Sequence, residues 1–122
     1  MDTIKIEASD DTPKVLCTSE GLISISGRSL TEDPFSFYIP ILKWVENINA
    51  ENLQIELRLD YVNTSSSKQI FNLLEVAKDN KWKKQLLIKW IYNENDDDGL
   101  SFGRELESTL DIPFEYQSYF EE

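Results

Sequence analysis

The chain has 122 residues and a formal net charge of -11, with no histidine and one cysteine. The lack of histidine excludes imidazole bases and ligands within this chain. The single cysteine, Cys17, excludes an internal disulfide or a thiolate zinc cluster. Nucleic acid and anionic membranes are disfavoured as partners because they repel a negative chain, whereas a basic protein surface would attract it.

The composition predicts a folded protein, since 40% of the residues are hydrophobic and 11% are aromatic. We expect one domain over residues 1–122. The start of the chain lacks a basic segment followed by an apolar run, so we expect no signal peptide. The apolar stretches are much shorter than the roughly 20 residues that a membrane span needs. We therefore expect a cytoplasmic protein.

The first third of the chain predicts strands. Residues Thr3 to Glu7 alternate weakly, which indicates a first strand. The segments Lys14–Thr18 and Leu22–Gly27 flank Ser19-Glu20-Gly21 and predict a β-hairpin with glycine in its turn.

A helix is predicted next. Asp33-Pro34 marks a turn or a helix start, and apolar residues between Tyr38 and Ile48 recur at helical spacing. Because proline disrupts a helix interior, we place the regular helix from about Ile39, with Pro40 in its first turn.

The centre of the chain predicts a strand, a helix and a second strand. Apolar and polar residues alternate over Leu53–Asp60, which predicts a strand with one buried face. Asn63 or Thr64 then suits the N-cap of a helix whose apolar positions lie between Ile70 and Ala77. Residues Gln85–Tyr92 predict a buried strand.

An acidic loop, Glu94–Gly99, leads into a third predicted helix over about Leu100–Thr109. The tail, Phe114–Phe120, predicts a short edge strand or an ordered tail. The order ββ(β)-α-β-α-β-α predicts a mixed α/β sheet with helices on at least one face. Its strand–helix–strand part should form a right-handed crossover.

A run of hydroxyl side chains at the second helix start is the first candidate site: Asn63-Thr64-Ser65-Ser66-Ser67-Lys68. In open α/β sheets, sites favour the carboxyl ends of strands, and a helix start stabilises an attached phosphate. Phosphorylation here would add roughly -1.5 to -2 charge. From composition alone, a plain helix cap is the favoured interpretation, because serine and threonine are common at caps.

Blocks over nearly the whole chain resemble the SiaC family of bacterial regulatory phosphoproteins. The blocks are Pro34-Phe35-Ser36-Phe37-Tyr38-Ile39-Pro40, Trp44-Val45-Glu46, Leu59-Asp60-Tyr61-Val62-Asn63-Thr64-Ser65-Ser66-Ser67-Lys68, Lys89-Trp90-Ile91-Tyr92, Asp96-Asp97-Asp98 and Ile112-Pro113-Phe114-Glu115. The hydroxyl run after a strand is fairly specific in that context, and the aromatic blocks on both sides carry much of the weight.

The resemblance implies a STAS-like fold, similar to anti-sigma factor antagonists, and a non-enzymatic switch without a cofactor. Such proteins are phosphorylated by a GHKL-type serine/threonine kinase and dephosphorylated by a PP2C-type phosphatase. The unphosphorylated form binds a GGDEF diguanylate cyclase, which links it to cyclic di-GMP and biofilm formation or aggregation. The family's phosphoacceptor matches Thr64. STAS proteins carry D-S-S-G at this junction, and Asn63 stands here in place of the aspartate.

The acidic loop offers an alternative, a divalent-cation-binding interaction module. Glu94, Asp96, Asp98 and Glu105 have an EF-hand-like spacing. Against a metal site, the first ligand position is glutamate and the position that is usually apolar is Ser101. The preceding element also reads as a strand. An acidic turn followed by a helix start is therefore the favoured interpretation, with no metal. A hydrolase using carboxylate pairs ranks last, because no pocket motif accompanies them.

Overall fold

A computed structural model of the chain describes residues 1–121, which form six strands and three helices. The strands are β1 (Ile4–Ile6), β2 (Lys14–Thr18), β3 (Leu22–Ser29), β4 (Asn52–Val62), β5 (Gln85–Asn93) and β6 (Phe114–Tyr119). The helices are α1 (Pro34–Asn47), α2 (Thr64–Asp79) and α3 (Asp97–Leu110). The predicted mixed α/β architecture is confirmed, and the STAS-like description is compatible with it.

The strands lie in the sheet in chain order, β1-β2-β3-β4-β5-β6. β1, β2 and β3 pair antiparallel, whereas β3, β4, β5 and β6 pair parallel. Each helix therefore crosses between neighbouring parallel strands, and right-handed crossovers in one direction place all three helices on the same face. The predicted hairpin turn is confirmed, and Gly21 permits it by adopting a φ of 100°.

The core lies between the sheet and this helical layer. On β4, Leu53, Ile55 and Leu57 are buried, while Gln54 and Glu56 on the opposite face are partly exposed. This is the alternation that the sequence predicts. Ile70 and Leu73 of α2 are also fully buried, so the apolar stripe of that helix covers the sheet.

The start of α1 differs from the prediction. The helix begins at Pro34, not near Ile39, because the Asp33 side chain accepts a hydrogen bond from the Ser36 N–H at 3.2 Å and caps it. Pro40 consequently lies inside the helix. The carbonyl that loses its partner belongs to Ser36, which is exposed, so water can replace the missing bond.

The start of α3 also differs from the prediction. This helix begins at Asp97 rather than Leu100, because the Asp96 side chain accepts a hydrogen bond from the Gly99 N–H at 2.9 Å. Part of the predicted acidic loop is therefore the first helical turn, where Asp97 and Asp98 complement the helix dipole. The tail is an edge strand, since β6 pairs with β5.

Asn80 joins the carboxyl ends of α1 and α2. Its buried Nδ2 donates to the carbonyls of Val45 at 2.8 Å and Ile48 at 3.0 Å. Its Oδ1 accepts from the N–H groups of Trp82 and Lys83. One amide thus satisfies groups from two helix ends. None of the helices in residues 1–121 is long and apolar enough to cross a membrane.

Candidate functional site

Asn63 organises the junction between β4 and α2. It is the N-cap of α2, and its Oδ1 accepts a hydrogen bond from the Ser66 N–H at 2.8 Å. Its Nδ2 donates to the Thr31 carbonyl at 3.1 Å, and its own N–H donates to the Ser29 carbonyl at 3.0 Å. The alternative of Thr64 as the cap is therefore wrong.

The amide of Asn63 makes a contact that an aspartate at this position would lack. An aspartate would retain the cap, but it would lose the donor and place a negative charge against the Thr31 carbonyl oxygen. Asparagine therefore both caps α2 and attaches it to the segment that leads into α1.

The structure divides the four hydroxyl residues of the junction into two pairs. Thr64 and Ser65, in the first turn of α2, are exposed. Ser66 is fully buried, and Ser67 is half-buried and donates its hydroxyl to the Asn63 carbonyl at 3.1 Å. Only the first pair is open to a modifying enzyme in the folded protein. Lys68 is exposed four residues after Thr64, one turn along the same helix face.

Exposed apolar side chains lie at the same edge of the sheet. Tyr61 is 61% exposed and Phe35 is 58% exposed, while Leu30 is 38% exposed. The parallel pairing of β3 and β4 aligns Arg28 with Tyr61, so the chain segment that follows each strand leaves the sheet at this edge. Exposed aromatic residues in such a group are typical of a protein contact surface.

Sequence reasoning about sites missed this group. The aromatic residues Phe35 and Tyr61 were part of the blocks that carried the family resemblance. The sequence could not predict that these side chains are exposed. A residue pattern shows which face of an element is apolar, but not whether another element covers that face.

The structure does not assemble the four acidic residues of the alternative into a cation site. Glu94 lies in the turn after β5, Asp96 caps α3, Asp98 lies in its first turn and Glu105 lies farther along the helix. Within residues 1–121, no three histidine, cysteine or acidic side chains are placed to hold a metal ion together. In the structure this segment is a turn followed by the capped first turn of α3.

Cys17 is fully buried in β2. Burial raises the pKa of its thiol to about 12, because the thiolate would lose its hydration. The residue thus has neither the access nor the ionisation of a nucleophile.

The comparisons with known proteins agree with this geometry. A model of the SiaC family of regulatory phosphoproteins matches residues 6–119. The chain belongs to the SiaC family. An uncharacterised protein of Pseudomonas aeruginosa strain UCBPP-PA14 is 25% identical, over 99% of this chain and 100% of its own length. The family resemblance that the sequence indicated is therefore confirmed.

Solved structures of SiaC from Pseudomonas aeruginosa have the same fold. One has a TM-score of 0.83 and 26% identity, over 98% of this chain and 100% of that one. A second structure shows the diguanylate cyclase SiaD in complex with its activator SiaC. This SiaC has a TM-score of 0.83 and 25% identity, over 95% of this chain and 99% of that one. The relative is thus a regulatory protein that acts by binding an enzyme.

Proposed function

We propose that this SiaC-family chain is a non-enzymatic switch controlled by phosphorylation of Thr64. A GHKL-type serine/threonine kinase adds the phosphate, and a PP2C-type phosphatase removes it. The unphosphorylated form binds and activates a GGDEF diguanylate cyclase, and so controls cyclic di-GMP and biofilm formation. The family description as regulatory phosphoproteins and the cyclase complex of the Pseudomonas relative support this proposal.

The observation that carries the proposal is the position of the Thr64 hydroxyl. Thr64 is exposed at the first position of α2, directly after a cap whose hydrogen bonds join this helix to residues 29–31. Exposed apolar residues, including Tyr61, lie at the same edge of the sheet. A kinase can therefore reach the hydroxyl, and a protein that binds these apolar residues would cover it.

Phosphate on Thr64 would act on this contact surface and leave the fold in place. A helix start favours negative charge, and Lys68 lies one turn further on, so α2 tolerates the added roughly -1.5 to -2 charge. At a contact surface the same charge must lose its water when a partner binds. The switch thus weakens partner binding through desolvation and repulsion.

Intact-mass measurement with the cognate kinase and ATP tests the acceptor. We expect one phosphate on the wild-type chain, none on Thr64→Ala, and one on the control Ser65→Ala, whose hydroxyl is also exposed. Full labelling of T64A would exclude Thr64 as the acceptor. Loss of labelling in S65A but not in T64A would move the site by one residue.

A second experiment tests the consequence for the partner. Titrating the cognate cyclase with unphosphorylated chain should raise its activity, whereas the phosphorylated chain should bind at least about tenfold more weakly, since partial desolvation of a phosphate costs more than about 1.4 kcal/mol. Equal activation by the two forms would contradict the switch.

A further inference from the structure

We call the exposed residues Tyr61, Thr64 and Ser65 the Thr64 surface. A cleft of about 880 Å³ lies beside it, between the first turns of α2 and α3. Its apolar lining comes from Leu59 on β4, Trp90 on β5 and Phe102 on α3. Ser67, one helical turn after Thr64, belongs to its lining as well. The volume lies within the range of roughly 300–1,000 Å³ that is typical of ligand pockets.

The charged lining of the cleft is mainly negative. Four carboxylates line the cleft, those of Asp60, Asp96, Asp98 and Glu121. The positive charges are Arg28, which belongs to the lining, and Arg58, which lies against the lining residues Glu121 and Tyr119. Asp96 already caps α3, and Glu121 lies 3.7 Å from the Arg58 guanidinium. The carboxylate of Asp60 accepts a hydrogen bond from the Tyr119 hydroxyl at 3.2 Å through one oxygen only. The second oxygen of Asp60 and the exposed carboxylate of Asp98 are therefore the groups best placed to meet an incoming cation.

Aromatic rings at the cleft already stack with guanidinium groups of the chain itself. The Arg58 guanidinium carbon lies 4.0 Å from the centre of the Tyr119 ring, and that of Arg28 lies 5.4 Å from the centre of the Tyr61 ring. Both tyrosines line the cleft. A ring face and a nearby carboxylate are the two groups that recognise arginine, because its guanidinium is planar and always charged.

We propose that this cleft receives an arginine side chain of the protein partner that covers Thr64. The guanidinium would stack on the Tyr61 ring, which is 61% exposed, and pair with Asp60 and Asp98, and its methylene stem would contact the half-buried Phe102. The negative lining selects a basic segment and repels phosphate and nucleic acid. The identity of the partner rests on the proposed function, whereas recognition of arginine by the cleft does not.

A nitrogen-15 NMR titration tests the cleft directly. The probe is the peptide acetyl-Gly-Arg-Gly-amide, and its control is the citrulline peptide, in which a neutral urea replaces the guanidinium. The indole N–H of Trp90 reports on the cleft, where it donates to the Gly99 carbonyl at 3.1 Å. The indole N–H signals of Trp44 and Trp82 are internal controls, because these two residues are not part of the cleft lining.

The arginine peptide should shift the Trp90 signal in a saturable way at millimolar concentration and leave the other two indoles unchanged. The citrulline peptide should shift none of them. The double variant Asp60→Asn with Asp98→Asn should bind about fivefold more weakly, since it loses two partly screened charge pairs.

The matched control is Glu20→Gln with Glu46→Gln, which removes the same two charges from exposed residues outside the cleft. It should bind like the wild type. An unmoved Trp90 signal, an equal response to citrulline, or equal losses in the two double variants would overturn the proposal. Thr64→Ala should bind the arginine peptide like the wild type. A failure of the Thr64 phosphorylation experiment therefore leaves the peptide titration valid, and a failure of the titration leaves the phosphorylation experiment valid.

Discussion

At the scale of single residues, buried polar groups distinguish this fold from a simple layered packing of apolar side chains. Asn80 is 5% exposed, and its amide bonds to main-chain groups at the ends of both α1 and α2. No apolar side chain can replace it, because the two buried carbonyls would lose their donor and the two part-buried N–H groups would lose their acceptor. A single asparagine therefore holds two helix ends together.

We expect Asn80→Ala to lower the free energy of unfolding by about 3 kcal/mol. The substitution leaves several main-chain groups without hydrogen-bond partners, and each of the most buried ones costs about 1–3 kcal/mol. Urea denaturation measures this difference. Asn47→Ala is the matched control, because the Asn47 amide donates to the Lys43 carbonyl but is exposed. That variant should change stability by less than about 0.5 kcal/mol. Equal losses in the two variants would contradict the role of Asn80.

At the scale of elements, α3 packs closely on β5 because Gly103 has no side chain. A Cβ atom at Gly103 would come within 2.6 Å of the Trp90 ring. Trp90 is 3% exposed and its indole is held by the Gly99 carbonyl, so the ring has little freedom to move. The glycine therefore sets the distance between helix and strand.

Two opposing effects decide the outcome of Gly103→Ala. Alanine favours a helix by about 1 kcal/mol, whereas overpacking a fixed ring costs about 1–3 kcal/mol. We expect the clash to dominate, with a net loss of about 1 kcal/mol in the free energy of unfolding. Ser101→Ala, at an exposed position of the same helix, should be neutral or slightly stabilising. If the G103A protein were as stable as the S101A protein, α3 would be able to shift away from Trp90, and the predicted clash would be absent.

A carboxylate attaches β6 to α3. Glu107 accepts hydrogen bonds from the Phe114 N–H at 2.7 Å and from the Tyr116 hydroxyl at 2.8 Å. These bonds, and the nearby charge of Arg104, lower the pKa of Glu107 below its ordinary value of 4.5. The charged carboxylate therefore stabilises the folded chain above that ordinary value, and this contribution is lost as pH falls through the lowered pKa.

Glu107→Gln should accordingly be less stable than the wild type at pH 7, and the difference should shrink as pH falls below the ordinary pKa of 4.5. Thermal unfolding followed by circular dichroism at several pH values measures this. Glu105→Gln, an exposed carboxylate of the same helix, is the control for the loss of one negative charge. A pH-independent difference between E107Q and the wild type would mean that the two bonds do not depend on the charge.

The elements show what sequence patterns can and cannot predict. The alternation in β4 and the stripe of α2 correctly gave each element and its buried face. The start of α1 was predicted too late because Pro40 was placed in the first turn, and the start of α3 because its apolar periodicity begins after the first turn. The side chains that start these helices, Asp33 and Asp96, are polar caps that act through one local hydrogen bond each.

At the scale of the molecule, the Thr64 surface and the cleft depend on contacts between distant segments. Register between β3 and β4 brings residues 29–31 to Asn63, more than 30 positions away in the sequence. The cleft combines residues from β3, β4, β5, β6, α2 and α3, and Glu121 after β6. Residue patterns give the faces of single elements but not their pairing, so the hydroxyl run and the family resemblance indicated a site at this edge but not the distant segments that surround it.

The net charge of -11 belongs to the same scale, since it acts before any contact forms. A basic partner would be drawn toward the chain over several ångströms, and at 0.15 M salt screening limits this attraction to about 8 Å. We expect the association rate with the unphosphorylated chain to fall about tenfold or more between low and high salt, with a smaller change in the dissociation rate. Stopped-flow measurement with the cognate cyclase tests this, with sucrose at equal osmolality as the control.

The two double variants separate overall charge from its local arrangement. D60N with D98N and E20Q with E46Q both reduce the net charge from -11 to -9, since each removes two carboxylates. If long-range attraction alone governed association, both would slow it equally and leave dissociation unchanged. Because the cleft lies beside the Thr64 surface, we expect only D60N with D98N to accelerate dissociation as well. Matching dissociation rates would mean that the charge guides the partner to this surface without holding it there.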